Sequence, residues 1–383
     1  ITRAKAGIEF VGQAYQGQSF IQSDSKIRWN LPAGRSYLWF TDKGYMMVIE
    51  MPDGIVRTFI SVPDDDPARK TTTLEEVNRE LNRLGGIDAE LYDPVWVALY
   101  RVNHRAATTF RSGRVFIAGD AAHEHVPLGG QGMNTSIQDA FNLAWKLAYV
   151  MQGKAHPELL DSYQVERHPV AESLLRGTDE GYTTLLKAGD LARLLVRTLG
   201  PFLLSSDAVR SKMRSTLEEI GIEYRKGPLT EDHGGSSGPH AGDRVLDSML
   251  VEPDAGATLP LRDALRGTHW ALLLFTGRNA GAGGLHALDE IAFRVESAYT
   301  GTVKAAIVSG GFPIQQHANL RTRVFVDAMN EAHDQYGADS ACLYLLRPDR
   351  YVAFRGPMKS AEDLTNYLAR VLIPVGAAVS ASL

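Results

Sequence analysis

The residues best suited to chemistry lie together in one short run, GDAAHEHVPLGGQGMN, at positions 119–134. Gly129, Gly130 and Gly132 carry no Cβ, so the backbone there can approach a flat ligand closely and adopt positive φ. Gln131, Met133 and Asn134 flank the start of a predicted helix, whose first N–H groups are unpaired at the positive end of the helix dipole and favour negative charge. Asp120, beside Gly119 at the carboxyl end of the preceding strand, is placed to accept hydrogen bonds from sugar-type hydroxyls. The plainer alternative is a strand-to-helix connection whose glycines serve only a tight turn, and the glycines alone do not decide between the two. His123-Glu-His125 offers two metal ligands without the further partners a metal needs, so no metal site is read here.

Elsewhere the chemistry is less focused. Tyr37, Trp39 and Tyr45 fall on predicted strands, where they either line a substrate cavity or belong to the core. Arg57 and Arg101, on neighbouring predicted strands, suit an anionic substrate or a surface ion pair equally. Asp64-Asp-Asp66 sits between Pro63 and Pro67 without the spacing of a calcium loop and reads as solvated. The run 277–284 follows a strand and precedes a helix but lacks the Gly-Lys-Ser/Thr ending of a phosphate loop. No catalytic side chain identifies itself.

These groups need a scaffold. With 383 residues, 44% of them apolar, the chain can bury two or three cores. Forty Lys plus Arg against 45 Asp plus Glu give a formal charge of -5 with no dense basic run, which argues against nucleic acid as a partner. No apolar run reaches the roughly 18 residues of a membrane-spanning helix. The single cysteine, Cys342, excludes a disulfide framework and fits a reducing, cytoplasmic setting.

Between 27 and 63, short β-branched and aromatic runs alternate with Gly and Asp-Gly turns, the pattern of an antiparallel sheet. Thr73-Leu-Glu-Glu76 reads as a capping box opening a helix that Gly85 and Gly86 end. A buried strand is expected at 114–118 and a helix at 135–152, with Ile137, Phe141, Ala144, Leu147, Ala148 and Met151 at helical spacing. Further helices are expected at 157–167, 170–186 and 191–220, interrupted by Pro169, Gly189 and Gly200-Pro201. The stretch 227–242, GPLTEDHGGSSGPHAG, is too polar and too rich in Gly, Ser and Pro to order itself, and reads as a linker. Strands at 269–275, 303–308, 341–346 and 351–354, with helices at 285–297 and 361–372, then form a small α/β domain.

The run 119–134 and its surroundings resemble the second FAD fingerprint of the aromatic-ring hydroxylases related to 4-hydroxybenzoate and phenol hydroxylase. The match covers Arg114-Val-Phe-Ile-Ala-Gly-Asp120-Ala-Ala-His123, then Pro127, Gly129-Gly-Gln-Gly132-Met-Asn134, Gln138-Asp139 and Asn142-Leu-Ala-Trp-Lys146. Tyr163-Gln-Val-Glu166-Arg167-His-Pro169 resembles the helix downstream of the flavin. Leu346-Arg-Pro-Asp349 and Val352-Ala-Phe-Arg355 resemble the thioredoxin-like extension of the phenol hydroxylase branch, here without a CxxC. Ala6-Gly-Ile-Glu-Phe-Val-Gly12 resembles the point where these enzymes enter their substrate domain. A front half of about 150 residues carrying the GxGxxG fingerprint is therefore expected to precede this chain.

The resemblance implies an α/β and α+β architecture, in which a partial Rossmann-like FAD-binding domain with an antiparallel-sheet substrate domain is followed by a thioredoxin-like C-terminal domain. The expected boundaries are 1–112 for the substrate domain, 113–226 for the remainder of the FAD-binding domain and connecting helices, 227–242 for the linker and 243–383 for the C-terminal domain. It further implies that Asp120 meets the sugar part of FAD, with Gly119 also cofactor-binding, that Pro127 lies beside the isoalloxazine, and that the Met133 and Asn134 backbone faces its C2 carbonyl. A helix start there favours the reduced flavin, whose negative charge spreads over N1 and the C2 carbonyl. The implied activity is an NADH- or NADPH-dependent monooxygenase hydroxylating a phenolic substrate with molecular oxygen through a flavin C4a-hydroperoxide, as a homodimer free of nucleic acid and membrane. Alternatives are an oxygenase acting on a polyketide or antibiotic, an epoxidase, and a truncated scaffold without flavin.

Overall fold

After one helical turn, α1 (Thr2–Lys5), and strand β1 (Phe10–Ala14), the alternating residues that follow build an antiparallel sheet. Strands β2 (Gln18–Arg28), β3 (Tyr37–Thr41), β4 (Gly44–Glu50), β5 (Val56–Pro63) and β6 (Glu90–Tyr100) pair in the order β3-β4-β5-β2-β6. Because side chains alternate between faces, the sheet has two distinct surfaces. One carries Ile21, Met46, Val48 and Ile60 against Val77, Leu81 and Leu84 of helix α2 (Leu74–Gly85). The other carries Phe20, Tyr45 and Phe59 with Met47 and Tyr100. The capping box forms only in part. Thr73 accepts from the Glu76 N–H, whereas the Glu76 carboxylate turns to Thr72 and Arg69, and Gly86 ends the helix in the left-handed conformation.

The structure, a computed structural model, describes residues 1–14, 18–41, 44–64, 66, 68–101, 103–124, 132–187, 206, 221–253, 255–278, 282–310 and 320–377. The chain divides into two compact units, residues 1–133 with 171–211, and residues 134–170 with 212–383. Among the described residues no helix is long and apolar enough to cross a membrane.

In the first unit, β1, β7 (Asn103–Ala107) and β10 (His123–Glu124) form a three-stranded sheet in the order β1-β7-β10. Gly12 is obligatory there: its φ is +126°, and a Cβ would stand 2.0 Å from the His104 carbonyl. The buried strand expected at 114–118 shrinks to β9 (Val115–Phe116), which pairs with β8 (Arg111–Ser112) across Gly113. A short ribbon replaces it because a two-residue hairpin at Gly113 captures the strand's hydrogen bonds locally.

Helix α3 (Gly132–Met151) begins earlier than periodicity indicates, and α4 (Asp161–Lys187) runs straight through Pro169. The interruption expected at Pro169 does not occur. The helix expected at 191–220 falls almost wholly outside the described residues. The apolar row of α3 does not face the interior: Ile137, Phe141 and Met151 are more than half exposed, while Thr135, Asp139, Asn142 and Lys146 are buried. The buried side of α3 thus mixes this polar row with Leu143, Trp145, Tyr149 and Val150.

The second unit is built on an eight-stranded mixed sheet of thioredoxin-like character. Strands β11 (Glu231–Asp232), β12 (Met249–Glu252), β13 (Ala257–Pro260), β14 (Trp270–Gly277), β15 (Val303–Gly310), β16 (Arg323–Asp327), β17 (Ser340–Leu346) and β18 (Val352–Pro357) pair in the order β11-β18-β17-β14-β15-β16-β12-β13. β14, β15 and β16 are parallel, and the helices Ala282–Ala298 and Ala361–Val371 complete the domain. Cys342 sits in β17, where burial pushes its thiol up to about 12, so it carries no thiolate chemistry near neutral pH.

The stretch 227–242 corrects the expectation of an unordered linker. β11 pairs with β18, and Arg355 donates to Asp232 Oδ1 and to the Ser237 and Gly235 carbonyls. Its guanidinium adds fixed donors to those of the Gly234 and Ala241 amides on Asp232, and Leu229 and Ala241 anchor the strap by burial. Arg355→Met is accordingly expected to open this strap. Limited proteolysis should then cut within 233–240 at least tenfold faster than in the parent, with the sheet's circular dichroism retained.

Candidate functional site

Two places in the chain bear the ligand-binding features expected from sequence. In the first unit, Gly119 takes φ +59°, which only glycine adopts without strain, and turns the chain after the β8–β9 hairpin. Its carbonyl accepts from the Ala122 N–H at 2.6 Å, and the side chain of Asp120 is left exposed. Arg3 secures this corner by donating to the Ala121 carbonyl at 2.6 Å while stacking on Phe10. His123 is buried in β10 with its ring 6.1 Å from that of Phe110. Among the described residues no group of three or more His, Cys, Asp or Glu could share a metal ion. Pro127, Gly129, Gly130 and Gln131, with His125, lie outside the described residues.

The second place is the start of α3. Gly132 opens the helix, Met133 is exposed, Asn134 is half-buried, and no acidic residue occupies the first turn. The positive end of the dipole is therefore not neutralised by a carboxylate of its own first turn.

Sequence reasoning missed Arg105. It lies on β7, opposite Gly12 on one side and Glu124 on the other, and its Nε is buried without a hydrogen-bond partner among the described residues. A guanidinium with an unspent buried donor is costly unless something accepts from it. A period-two pattern marks Arg105 only as a strand residue, so nothing in the sequence singles it out.

The five residues read as possible substrate contacts separate. Tyr37 and Trp39 stack with ring centroids 5.7 Å apart on the α2 side, Tyr37 donating to the Pro32 carbonyl, and so belong to that core. Tyr45 lies on the opposite face with Phe20 and Phe59. Burial pushes its phenol up to about 12, so it remains protonated and cannot serve as a base near neutral pH. Arg57 is clamped by Asp24 through two hydrogen bonds of 2.8 and 2.7 Å, and Trp96 donates to the same carboxylate. The Arg57 bond holds Asp24 below the usual carboxylate range. Arg101 is held in the same way by Asp64, at 2.6 and 2.8 Å. Both arginines are thus engaged in ion pairs.

The polar underside of α3 meets a fully buried ionic network within the second unit. Lys146 Nζ donates to Asn142 Oδ1 at 2.7 Å and to Glu166 Oε2 at 2.8 Å. Arg347, in the β17–β18 hairpin, makes paired bonds to both Glu166 and Asp349, and Trp145 Nε1 donates to Asp349 at 3.0 Å. Nearer the start of α3, Arg167 donates to Asp139 Oδ1 at 2.6 Å, to the Tyr224 hydroxyl at 2.9 Å and to the Thr135 carbonyl at 3.3 Å. Burial alone would raise Glu166, but the charges of Arg347 and Lys146 outweigh it and hold the carboxyl at about 2. For Lys146 burial wins over the attraction of Glu166 and lowers the ammonium to about 8.

Comparison with known proteins places these features in context. The profile of the FAD binding domain family matches residues 1–178, and that of the phenol hydroxylase C-terminal dimerisation domain matches residues 312–376. The chain is 31% identical over 370 residues to the 6-methylpretetramide 4-monooxygenase of Streptomyces rimosus, covering 95% of this chain and 63% of that protein. It is 30% identical over 374 residues to the pentachlorophenol 4-monooxygenase of Sphingobium chlorophenolicum, covering 96% and 65% respectively. The chain thus spans just under two thirds of the length of these curated relatives. Among solved structures, an anhydrotetracycline hydroxylase from Streptomyces rimosus superposes with a TM-score of 0.68 at 26% identity, over 96% of this chain and 66% of that one.

The network sets two pH limits on stability. Glu166 titrates lower in the folded than in the unfolded chain, so its contribution is complete above about pH 4.5 and is lost as pH falls towards 2. Lys146 also titrates lower when folded, so its burial is costly below about pH 8 and that cost is relieved as pH rises to about 10.5. Glu166→Gln is expected to cost roughly 3–5 kcal/mol at pH 7, because it leaves Arg347 and Lys146 underpaired, and to flatten the acid limb. Lys146→Met should remove the alkaline rise. Urea unfolding at pH 3.5, 7 and 9.5 reads all three effects.

Proposed function

We propose that the chain, whose residues 1–178 match the FAD binding domain family, is part of an aromatic-ring monooxygenase, and that the whole protein uses NADH or NADPH and molecular oxygen to hydroxylate a phenolic or polycyclic aromatic substrate. The observation that carries this reading is the α3 start, a helix N-terminus with no acidic residue in its first turn, directly after the family's glycine run. The residues fit FAD on structural grounds as well. Arg105 keeps a buried donor in need of an acceptor, which a phosphate, or a carbonyl of the flavin ring, satisfies. Asp120 presents an exposed carboxylate able to accept from the ribityl or ribose hydroxyls.

Bound FAD would supply the oxygen-transfer chemistry, and the protein's part is binding, orientation and exclusion of water. The backbone N–H groups of Met133 and Asn134 would donate towards negative charge on the reduced ring. Gly119 would let the chain turn close to the sugar. The face of the five-stranded sheet bearing Phe20, Tyr45, Phe59 and Tyr100 would form an apolar wall for a flat substrate, with the rings of Phe20 and Phe59 already stacked at 4.5 Å. Arg57 would stiffen that wall through Asp24 and Trp96 rather than meet substrate charge. Relatives that act on pentachlorophenol and on pretetramide-type polyketides support both a single-ring and a polycyclic substrate. The match to a dimerisation domain supports a homodimer.

The reading is tested with the purified whole protein. Flavin absorption bands are expected, together with NAD(P)H-dependent oxygen uptake and stoichiometric hydroxylated product when halophenols or tetracyclic polyketides are supplied. Gly132→Leu should leave the protein folded and colourless. A yellow, active Gly132→Leu protein contradicts the role given to the α3 start. A colourless parent protein that consumes no NAD(P)H contradicts the enzyme reading and favours a scaffold.

A further inference from the structure

We propose that Arg347, far from the cofactor-binding sequence and inside the C-terminal domain, is a positioning residue for the flavin site. It sets the placement of α3, whose first turn would face the cofactor. The proposal rests on the flavin reading above and adds to it the part of the chain that holds the site in place.

The argument begins with the side of α3 that is buried. Asp139, Asn142 and Lys146 lie three and four residues apart, so they form one polar row, and that row faces inwards while Ile137 and Phe141 face out. Apolar packing is tolerant of small slips because dispersion has no preferred direction. A guanidinium fork is not: its donors meet carboxylate oxygens in one plane and at one spacing. Arg347 makes such a fork twice, to Glu166 of α4 and to Asp349 of its own hairpin. Glu166 then accepts from Lys146 and Asn142 of α3, and Asp349 accepts from Trp145 of α3. Arg347 therefore grips α3 by two carboxylates, with the rings of Trp145, Tyr224 and Tyr351 packed 5.4–5.6 Å from the guanidinium carbon.

Stability alone gives little reason for this arrangement, since well-packed apolar side chains often replace buried ion networks without loss. Fixing rotation and rise of a helix is what directional bonds add. A helix transmits that fixation along its length, about 1.5 Å per residue, so the grip at 142–146 determines where the amides of the first turn lie. Arg167 acts on the same helix nearer its start, holding Asp139 and the Thr135 carbonyl.

The experiment compares the whole protein with Arg347→Met, with Trp145→Phe, which removes the indole N–H bond to Asp349 while keeping a smaller aromatic ring in place, and with Arg355→Met, which loosens the 231–240 strap and does not touch α3. Three quantities are read: the FAD dissociation constant, the flavin midpoint potential, and amide hydrogen exchange across 132–151. Arg347→Met is expected to weaken FAD at least tenfold, to make the potential more negative because the reduced anion loses aligned donors, and to speed exchange in the first turns of α3. Trp145→Phe should move all three in the same direction by a smaller factor, and it decides the matter if Arg347→Met does not fold. Arg355→Met should match the parent.

The proposal is overturned if neither α3-linked variant moves FAD affinity beyond twofold, or if Arg355→Met moves it equally. If the parent itself binds no FAD, the flavin reading fails and takes this proposal with it, an outcome visible in the reference sample alone.

Discussion

The ionic interior between α3, α4 and the β17–β18 hairpin is arranged around the need to match arginines that never reach water. Arg167 and Arg347 are both buried, and a buried guanidinium is tolerable only with carboxylates and hydrogen-bond acceptors on all its donors. That requirement dictates the surroundings: Asp139 and Tyr224 for one, Glu166 and Asp349 for the other. It also explains why α3 turns a row of Asn, Asp and Lys side chains inwards. Trp145 and Tyr149 then fill the space beside the ions, reaching Trp270 and the Thr268 carbonyl of the C-terminal domain. Residues 134–170 form one compact unit with the C-terminal domain as the geometric trace of this matching.

The first unit answers a different constraint, that of a sheet with two chemically distinct faces. Trp39 pairs with Met46 on one face, whereas Tyr45, one position before Met46, turns to the other. Tyr37 and Trp39 support α2, and Phe20, Tyr45, Phe59 and Tyr100 make a ring-lined face on the other side. On that second face Arg57 and Asp24 form a closed ion pair beside the rings.

Local signals were legible in the chain. The Thr73 cap, the Gly86 stop, the hairpin strands and the helix after Gly132 were all readable because each depends on neighbours within a few residues. The resemblance to the FAD-binding family was readable because the residues that carry it are contiguous, and the family's profile matches residues 1–178. The ionic network was not. Its members were visible as separate pieces, Asn142 to Lys146, Glu166-Arg167 and Arg347 to Asp349, but periodicity carries no record of which distant charges meet. Composition misjudged 227–242 for a related reason: part of the order there comes from Arg355, more than a hundred positions away. Face assignment for Tyr37, Trp39 and Tyr45 needed the strand register, which a single sequence leaves open.

The separation between the partners has a consequence for how such a chain matures. Trp145 and Asp349 are 204 positions apart, and Glu166 and Arg347 are 181 apart. At about 5–20 residues per second of synthesis, α3 leaves the ribosome tens of seconds before the hairpin that neutralises its underside exists. During that interval Lys146 and Glu166 have each other, Asn142 and water, without Arg347. Closing so long a loop is also slow compared with local helix formation. Completion of α3, and with it any cofactor capture at its first turn, therefore becomes a late event that reports on whether the last strands of the chain have been made.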